Sequence, residues 1–405
     1  MVAPLKSSAT SLPSRCLGSD TQSPRESLMS IELTEEQKML QDSAERYLKN
    51  SYDFDQRQAA SRSAKGFSDE RWAQFAEMGW LAMPLPEEHG GFGFGAMEIM
   101  LLAEQMGRYL VVEPFLETVV VGGGLLARGA TTALAERYLP AVAEGQLQVA
   151  LAHGEEGKHA SMINTATTAV DEGAHCRLNG VKSVVANGDQ ADVFIVSARL
   201  VGAGNSAVTL FAIPADAEGV ERRGYPTYDG RRACELTLRN VVVGPEAVVG
   251  GRGSAEYLLD RVALDAQLAA CAEVIGGMAA LVEATQDYIG QRKQFGKTLS
   301  SFQVLRHRMA DMYVQLELTR SLMLAAASSL AGEEGDAARL ISALKARTVK
   351  AGRFVSQNAI QLHGGIAMTD ELSIGHYFKR FAVLESWFGN RDFHLQRFRE
   401  LQSVA

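Results

Sequence analysis

One segment near the C-terminal end carries residues able to bind an anionic, aromatic ligand. Arg292–Gln303 begins with a guanidinium group, which can make forked hydrogen bonds to a phosphate. Phe295 and Phe302 offer flat apolar surface on either side of Gly296, a residue that permits a tight turn. Taken alone, this pattern predicts a connector between two helices with a C-cap glycine.

A second segment downstream, Gln361–Ala367, contains two adjacent glycines, where a ligand can approach the backbone without meeting a Cβ atom. Together the two segments resemble the paired flavin–adenine contacts of the acyl-CoA dehydrogenase family. That resemblance implies binding of FAD, with the second segment usually reaching it from a neighbouring subunit. The implied FAD contacts in the two segments are Arg292, Phe295, Gln303, Gln361, Gly364 and Gly365.

Length and composition are typical of a soluble globular protein. The 405 residues are 46% hydrophobic and 22% charged, which is enough chain for two or three cores. A net charge of -8 argues against nucleic acid as the main partner. No apolar run predicts a membrane span, since Val119–Leu126 is short and glycine-rich. The four cysteines have no metal-ligand spacing: Cys16, Cys176, Cys234 and Cys271. They are typical of free thiols in a reducing compartment, so we expect a cytoplasmic protein.

The order of the patterns predicts an α+β protein of three domains after a tail. The tail is rich in Ser, Thr and Pro; we expect it to be disordered or to precede a natural start at Met29, with a targeting segment as the alternative. A capping box at Thr34–Gln37 opens the first helical pattern. The predicted divisions are a tail at 1–30, an N-terminal helical domain at 31–145, an antiparallel β domain at 146–250 and a four-helix bundle at 251–405.

The β domain is predicted from short β-rich runs separated by turn signals, among which Asn179-Gly180 indicates a hairpin. The runs are 149–152, 166–170, 175–178, 192–198, 208–213, 234–238 and 241–243. The bundle is predicted from four long helical patterns: 255–291, 301–331, 337–362 and 369–401.

The family resemblance also places a flavin ring against the β domain. The family's Thr-Glu-Pro segment corresponds here to residues 152–159, and its Trp-Ile-Thr-Asn-Gly segment corresponds to Val184–Gly188. Val184 and Ala186 therefore replace the usual aromatic shield and the hydroxyl near flavin N5, so the redox tuning should differ. The implied sheet-side FAD contacts are Ala152, His153, Val185 and Ala186.

The family's catalytic base has no counterpart in this sequence. In the family's reaction a carboxylate takes the α proton of an acyl-CoA while hydride leaves the β carbon for the flavin. One family position for that carboxylate falls on Gly389 and the other on Ala266, so the catalytic residue stays unassigned. We expect the carboxylates nearby in sequence to be solvated or ion-paired: Asp265, Glu385 and Asp392. Glu273 is expected to contact a partner helix.

Empty base positions beside intact flavin motifs resemble a branch of the family built from two unlike subunits, such as the small subunit of pimeloyl-CoA dehydrogenase. Lys182–Val185 and Ile195–Arg199 carry this resemblance together with Ala152-His153. It implies lipid metabolism such as fatty-acid β-oxidation, an acyl-CoA substrate, an electron-transfer flavoprotein or similar acceptor, and a homo- or hetero-tetramer with a base-bearing subunit. The alternatives are a self-sufficient dehydrogenase with a displaced carboxylate, a flavin monooxygenase or oxidase, and a non-catalytic structural subunit.

Overall fold

The N-terminal region is helical, and its first helix begins at the predicted capping box. The Gln37 backbone N–H donates to Thr34 Oγ1 at 3.2 Å, and the Thr34 N–H donates to Gln37 Oε1 at 3.0 Å. The computed structural model describes residues 32–157, 165–201, 208–332 and 335–402, so the predicted tail lies outside them. The helices here are α1 (Glu35–Ser51), α2 (Phe54–Arg62), α3 (Asp69–Glu77), α4 (Ala96–Arg108), a π-helical segment (Phe115–Gly123), α5 (Gly124–Gly129) and α6 (Thr132–Ala143).

The middle of the chain forms one mainly antiparallel sheet, which confirms the predicted fold class. Among the described residues it has eight strands in the order β6-β7-β3-β2-β4-β5-β8, with β1 paired to β4. The β1–β4 and β2–β4 pairs are parallel. The strands are β1 (Val149–Ala152), β2 (Thr168–Asp171), β3 (Cys176–Ala186), β4 (Val193–Val201), β5 (Val208–Pro214), β6 (Val220–Pro226), β7 (Arg232–Val243) and β8 (Val248–Val249).

The predicted hairpin at Asn179-Gly180 is wrong, because both residues lie inside β3. The strand continues through them with a register shift against β7. Gly180 is needed for close approach, since a Cβ there would lie 2.4 Å from Thr167 Oγ1. Asn179 Oδ1 instead accepts from the Asn240 N–H at 2.8 Å on the neighbouring strand.

The C-terminal region is a helical bundle, as predicted, with a correction in its last member. The predicted fourth helix is two helices separated at Trp387–Asn390, a break that carries one of the empty base positions. The helices are α7 (Ala255–Gln291), α8 (Gln303–Ala331), α9 (Ala337–His363), α10 (Ile374–Ser386) and α11 (Arg391–Gln402), with a short hairpin of β9 (Lys293–Gln294) and β10 (Lys297–Thr298) between α7 and α8.

Helix α7 is the central element of the bundle. Among the described helices it is long and apolar enough to cross a membrane by length and composition, but 83% of its most apolar window is buried inside the protein. It crosses α4 closely at two glycines. A Cβ on Gly276 would lie 1.8 Å from Glu104 O, and one on Gly107 would lie 1.9 Å from Glu273 O. The apolar composition of α7 therefore reflects a core position.

A buried charge network joins the sheet to the helices. Arg380 on α10 donates to both carboxylate oxygens of Glu273 at 2.6 and 2.8 Å, and to Asp229 Oδ2 at 2.8 Å. Arg231, from the turn after β6, donates to Glu117 at 3.2 Å and to Glu273 at 3.0 Å. Although burial opposes it, Glu273 holds the pKa of Arg380 above its usual value. Glu273 thus contacts a neighbouring helix of the same chain, α10, as expected. The network joins the sheet to the bundle.

The cysteines agree with the expected free thiols where they are described. Cys176, Cys234 and Cys271 are buried and unpaired, and Cys16 lies outside the described residues. Burial raises the pKa of the Cys234 thiol to about 12, so this sulfur is held as an inert thiol.

Candidate active site

A short hairpin follows α7; Arg292 lies just before it, and Phe295 lies at its turn. Taken alone, the segment predicted a connector with a C-cap glycine, whereas the chain forms a two-residue turn at Phe295-Gly296 with φ of +54° and +82°. Such a pair of positive φ values is typical of a type I′ hairpin turn. The Arg292 N–H donates to Tyr288 O at 2.8 Å, and the Phe295 side chain is 89% exposed. The turn therefore holds a large aromatic ring in the open beside an exposed guanidinium.

The second predicted segment lies at the same end of the bundle. The His363 ring stacks on Tyr288, one turn before Arg292, with ring centroids 4.4 Å apart and 27° between planes. Gln361 is exposed in the last turn of α9. A Cβ on Gly364 or Gly365 would meet no atom within 4 Å. The structure therefore brings the two segments together and leaves open space at both glycines.

A groove of about 510 Å³ runs beside this hairpin. It lies between the last turns of α7 and the start of α8, where Gln303 is the first helical residue. Ligand pockets commonly enclose about 300–1,000 Å³. The groove is lined by Gln286, Asp287, Ile289, Gly290, Gln291, Ser300, Arg306 and Met309.

On the sheet, the two predicted flavin segments lie side by side. The Ser183 N–H donates to Gly154 O at 2.8 Å, which pairs the chain after β1 with β3. Ala152 and Val185 are buried, with 0% and 1% of their surface exposed. His153 and Ala186 are partly exposed. Residues 158–159 of the predicted segment lie outside the described residues.

The backbone conformation of Val184 was not predicted from the sequence. It has φ +52° at a register shift in β3, and its side chain is 58% exposed. A β-branched residue rarely adopts positive φ, and strain of this kind concentrates at functional sites. The Val184 side chain thus stands out beside the His153–Gly154 segment, where the family resemblance places the flavin ring.

A buried ion pair underlies the same segment. Lys182 Nζ donates to Glu155 Oε1 at 2.8 Å, with the side chains 0% and 6% exposed. Although burial opposes it, Lys182 and neighbouring threonine hydroxyls hold the pKa of Glu155 well below its usual range. The Glu155 carboxyl is therefore ionised at neutral pH.

The two family positions for the base meet in space, and neither holds a carboxylate. Gln267, next to Ala266 on α7, donates from Nε2 to the carbonyl oxygen of Phe388 at 3.1 Å. Gly389 follows Phe388 with φ +104°, and a Cβ there would lie 2.4 Å from Phe393 Cδ1. Ala266 is fully buried. Close packing in this turn leaves no room for a side chain at position 389.

The nearby carboxylates are engaged elsewhere, as expected. Asp265 Oδ2 accepts from Arg128 Nη2 at 2.6 Å, and burial raises the pKa of Asp265 against the opposing effect of Arg128. Glu385 pairs with Arg353 at 2.7 Å. Asp392 is exposed in the first turn of α11.

Comparison with known proteins identifies the family. Three models match consecutive parts of the chain: the N-terminal domain of acyl-CoA dehydrogenase at residues 34–146, the middle domain at 149–241 and the C-terminal domain at 250–400. The chain belongs to the acyl-CoA dehydrogenase family. Members of this family are FAD-dependent oxidoreductases that act on CH–CH donors.

Individual relatives of this dehydrogenase-family chain are distant but cover most of it. FadE27 of Mycobacterium tuberculosis is 28% identical over 344 residues, which are 83% of this chain and 88% of the relative. A solved variant of the Tcur3481–Tcur3483 steroid ACAD has a TM-score of 0.81 at 27% identity, covering 91% of this chain and 98% of that one. PigA solved with FAD and proline has a TM-score of 0.86 at 25% identity, covering 93% and 100%.

The residues present fit FAD. The open glycines of the 364–365 pair leave room for a ligand against the backbone, and the exposed Phe295 ring offers a flat face near the Arg292 guanidinium. On the sheet, Val184 provides apolar surface beside His153. These features supply the apolar and cationic contacts that a flavin dinucleotide needs.

Proposed function

We propose that this chain takes part in the α,β-dehydrogenation of an acyl-CoA as the base-lacking member of a hetero-oligomer. The observation that carries the proposal is the geometry at Gly389, where positive φ and the adjacent Phe393 ring leave no place for a carboxylate. A homologous subunit would supply the proton acceptor, and an electron-transfer flavoprotein or similar protein would reoxidise the flavin. The reducing compartment expected from the free cysteines is the cytoplasm.

In the proposed division of work this chain binds and orients, and its partner removes the proton. Arg292 would neutralise the pyrophosphate, and Gln303, Gln361 and the 364–365 glycines would accommodate the adenosine half. FAD, when bound, accepts the hydride from the β carbon. Ala152, His153, Val185 and Ala186 would form the wall behind the ring; His153 and Ala186 are partly exposed, and Ala152 and Val185 are buried.

Exposed apolar side chains on the bundle support assembly with another subunit. Phe295 is 89% exposed and Met368 is 76% exposed. Tyr313 and Leu318 project from α8 with more than half of their surface free. Exposed large apolar side chains mark protein contact surfaces where they form a contiguous patch. Tcur3481–Tcur3483, one of the structural relatives, is named as a pair of chains.

Purification tests the proposal. We expect the chain loaded with FAD to reduce a dye with octanoyl-CoA or a steroid-side-chain CoA at least about 10²-fold more slowly alone than with a co-purifying homologous subunit, because general base catalysis contributes about 10²–10⁴-fold. Flavin absorbance of the isolated chain serves as the control for cofactor binding. Rapid dye reduction by the chain alone would refute the partner requirement.

A self-sufficient enzyme using Asp265 is the second candidate, and one observation favours it. Burial raises the pKa of this carboxyl, which neighbours the helical base position Ala266. Raised carboxyl pKa values are typical of catalytic bases. Asp265→Asn keeps the side-chain shape, so turnover by the isolated chain should disappear in this variant if Asp265 is the base. Asp392→Asn, on the exposed start of α11, is the matched control. Undiminished turnover in Asp265→Asn would eliminate this candidate.

A further inference from the structure

A second groove opens between α8, α9 and the start of α11. Its volume is about 430 Å³, which is within the range of ligand pockets. It shares no lining residue with the groove beside the Phe295 hairpin. Three cationic side chains line it, Lys350 and Arg353 from α9 and Arg391 from α11, and none of the described residues that line it is acidic. The groove is therefore a cationic site apart from the one already described.

Two of these cations are not neutralised by the protein. Arg353 makes two bonds to Glu385, at 2.7 and 2.5 Å, so its charge is balanced. Lys350 and Arg391 have no ion-pair partner within the described part of the chain. They lie along one groove in a protein whose net charge is -8. An anionic group that enters this groove can pair with both of them, and a phosphate suits both a lysine and an arginine.

Phe354 adds a flat apolar face to the groove. It is 36% exposed and lies one helical turn after Lys350 on the same face of α9. The amides of Gln315 and Gln357 line the groove as well, and their side chains make no hydrogen bond within the described residues. A side-chain amide can both donate to and accept from the edge of a nucleobase. Cations beside an aromatic face are the groups that bind the phosphates and the base of a nucleotide.

We propose that this groove binds an adenine nucleotide with at least two phosphate groups. The phosphates pair with Lys350 and Arg391, the base lies against Phe354, and the two amides bond its edge. The same chemistry occurs in a free nucleoside diphosphate and in the 3′-phospho-ADP end of coenzyme A. The site lies outside the proposed flavin contacts, since Arg292 and Gln303 do not line the groove.

Binding of ADP to the full chain saturated with FAD tests the proposal by isothermal titration calorimetry. The flavin site must be filled because FAD itself contains ADP, and Gln361 lies one turn beyond Gln357 on α9. The flavin absorbance should stay unchanged while ADP binds. Release of flavin by ADP would show that the two ligands compete for one site and would overturn the proposal.

Substitutions in the groove separate the contributions of charge and ring. We expect Lys350→Met and Arg391→Met each to weaken ADP binding about tenfold, because each removes a charged donor to phosphate. Phe354→Ala should weaken binding of ADP and leave binding of pyrophosphate unchanged. Lys49→Met removes an exposed cation from α1, which does not line the groove, and should leave ADP binding unchanged.

Displacement of a fluorescent ADP from the groove identifies the source of the nucleotide. Displacement by coenzyme A at a lower concentration than by ADP would assign the site to the end of coenzyme A, and the opposite order would assign it to a free nucleotide. No binding of ADP, or equal binding in the native chain, Lys350→Met and Arg391→Met, would overturn the proposal. Displacement by a glutamate-rich peptide at a lower concentration than by either ligand would also overturn it, because the groove would then be a contact surface for an acidic protein.

Discussion

Replacing Gly389 by glutamate, the residue type of the family's base position, will not create a base in this chain. Gly389 has φ +104°, and a Cβ there would lie 2.4 Å from Phe393 Cδ1 and 3.0 Å from His394 Nε2. Strained backbone of this kind costs about 1–3 kcal/mol, and overpacking a filled core adds about 1–3 kcal/mol. Displacing the His394 bond to Phe388 O adds about 1 kcal/mol. We expect a loss of about 3–7 kcal/mol from the free energy of unfolding.

Urea unfolding of FAD-loaded protein followed by circular dichroism tests this magnitude. Gly173→Ala is the matched control, because Gly173 has φ +86° while a Cβ there would meet nothing within 4 Å. The control should lose about 1–2 kcal/mol from backbone strain alone, and Gly389→Ala should lose at least about 1 kcal/mol more. Gly389→Glu should reduce a dye with acyl-CoA no faster than the native chain. A Gly389→Glu variant of native stability that turns over acyl-CoA faster would refute the reasoning.

Three further predictions follow from buried or exposed charges. Arg380→Met should lower the free energy of unfolding by about 3–5 kcal/mol in urea, because it removes the two bonds of Arg380 to buried Glu273, which keeps only Arg231, and its bond to buried Asp229; combining it with Glu273→Gln should recover part of the loss. Burial and the nearby Lys345 charge lower the pKa of His394 from 6.5 to about 4. The stability that neutral His394 confers is therefore present above about pH 6.5 and is lost as the pH falls towards 4. Between these pH values, the free energy of unfolding in urea should depend less steeply on pH in His394→Gln. Arg292→Met should weaken FAD binding about 10–100-fold by fluorescence titration, while Arg399→Met, on the exposed face of α11, should not.

Local patterns predicted the elements whose residues interact with near neighbours in sequence. The capping box at Thr34–Gln37 and the long helical pattern of α7 needed only local spacing, and both are confirmed. The Asn179-Gly180 hairpin failed because the same dipeptide serves close strand contact when Thr167 packs on it. Strand β6 was missed because its exposed, charged sequence, with Arg222 and Arg223, has no apolar alternation. Its place is determined by pairing with β7, which is a long-range contact.

The candidate site, like the fold, was predicted from the sequence only in part. The two flavin segments and the empty base positions were predicted from the family resemblance, and the structure places Arg292 and Gln361 at one end of the bundle through the Tyr288–His363 stack. The strained conformation of Val184 had no signal in its sequence. A buried lysine at position 182 is equally unexpected from pattern alone, since lysines rarely lie in a core without a partner.

Position 389 lacks a carboxylate in a turn whose other contacts also exclude one. The difference from the family's base position therefore involves more than a single residue. Gln267 from α7 and His394 from α11 both donate to the Phe388 carbonyl oxygen, at 3.1 and 3.0 Å. Lys345 from α9 donates to Leu384 O at 2.5 Å at the other end of the same turn. Two buried donors thus satisfy the Phe388 carbonyl, and Lys345 adds a second bond to the Leu384 carbonyl, which also accepts from the Trp387 N–H at 3.2 Å. Because adding a carboxylate here would displace these bonds as well as the Phe393 ring, a proton acceptor is more readily supplied by a neighbouring subunit than regained within this turn.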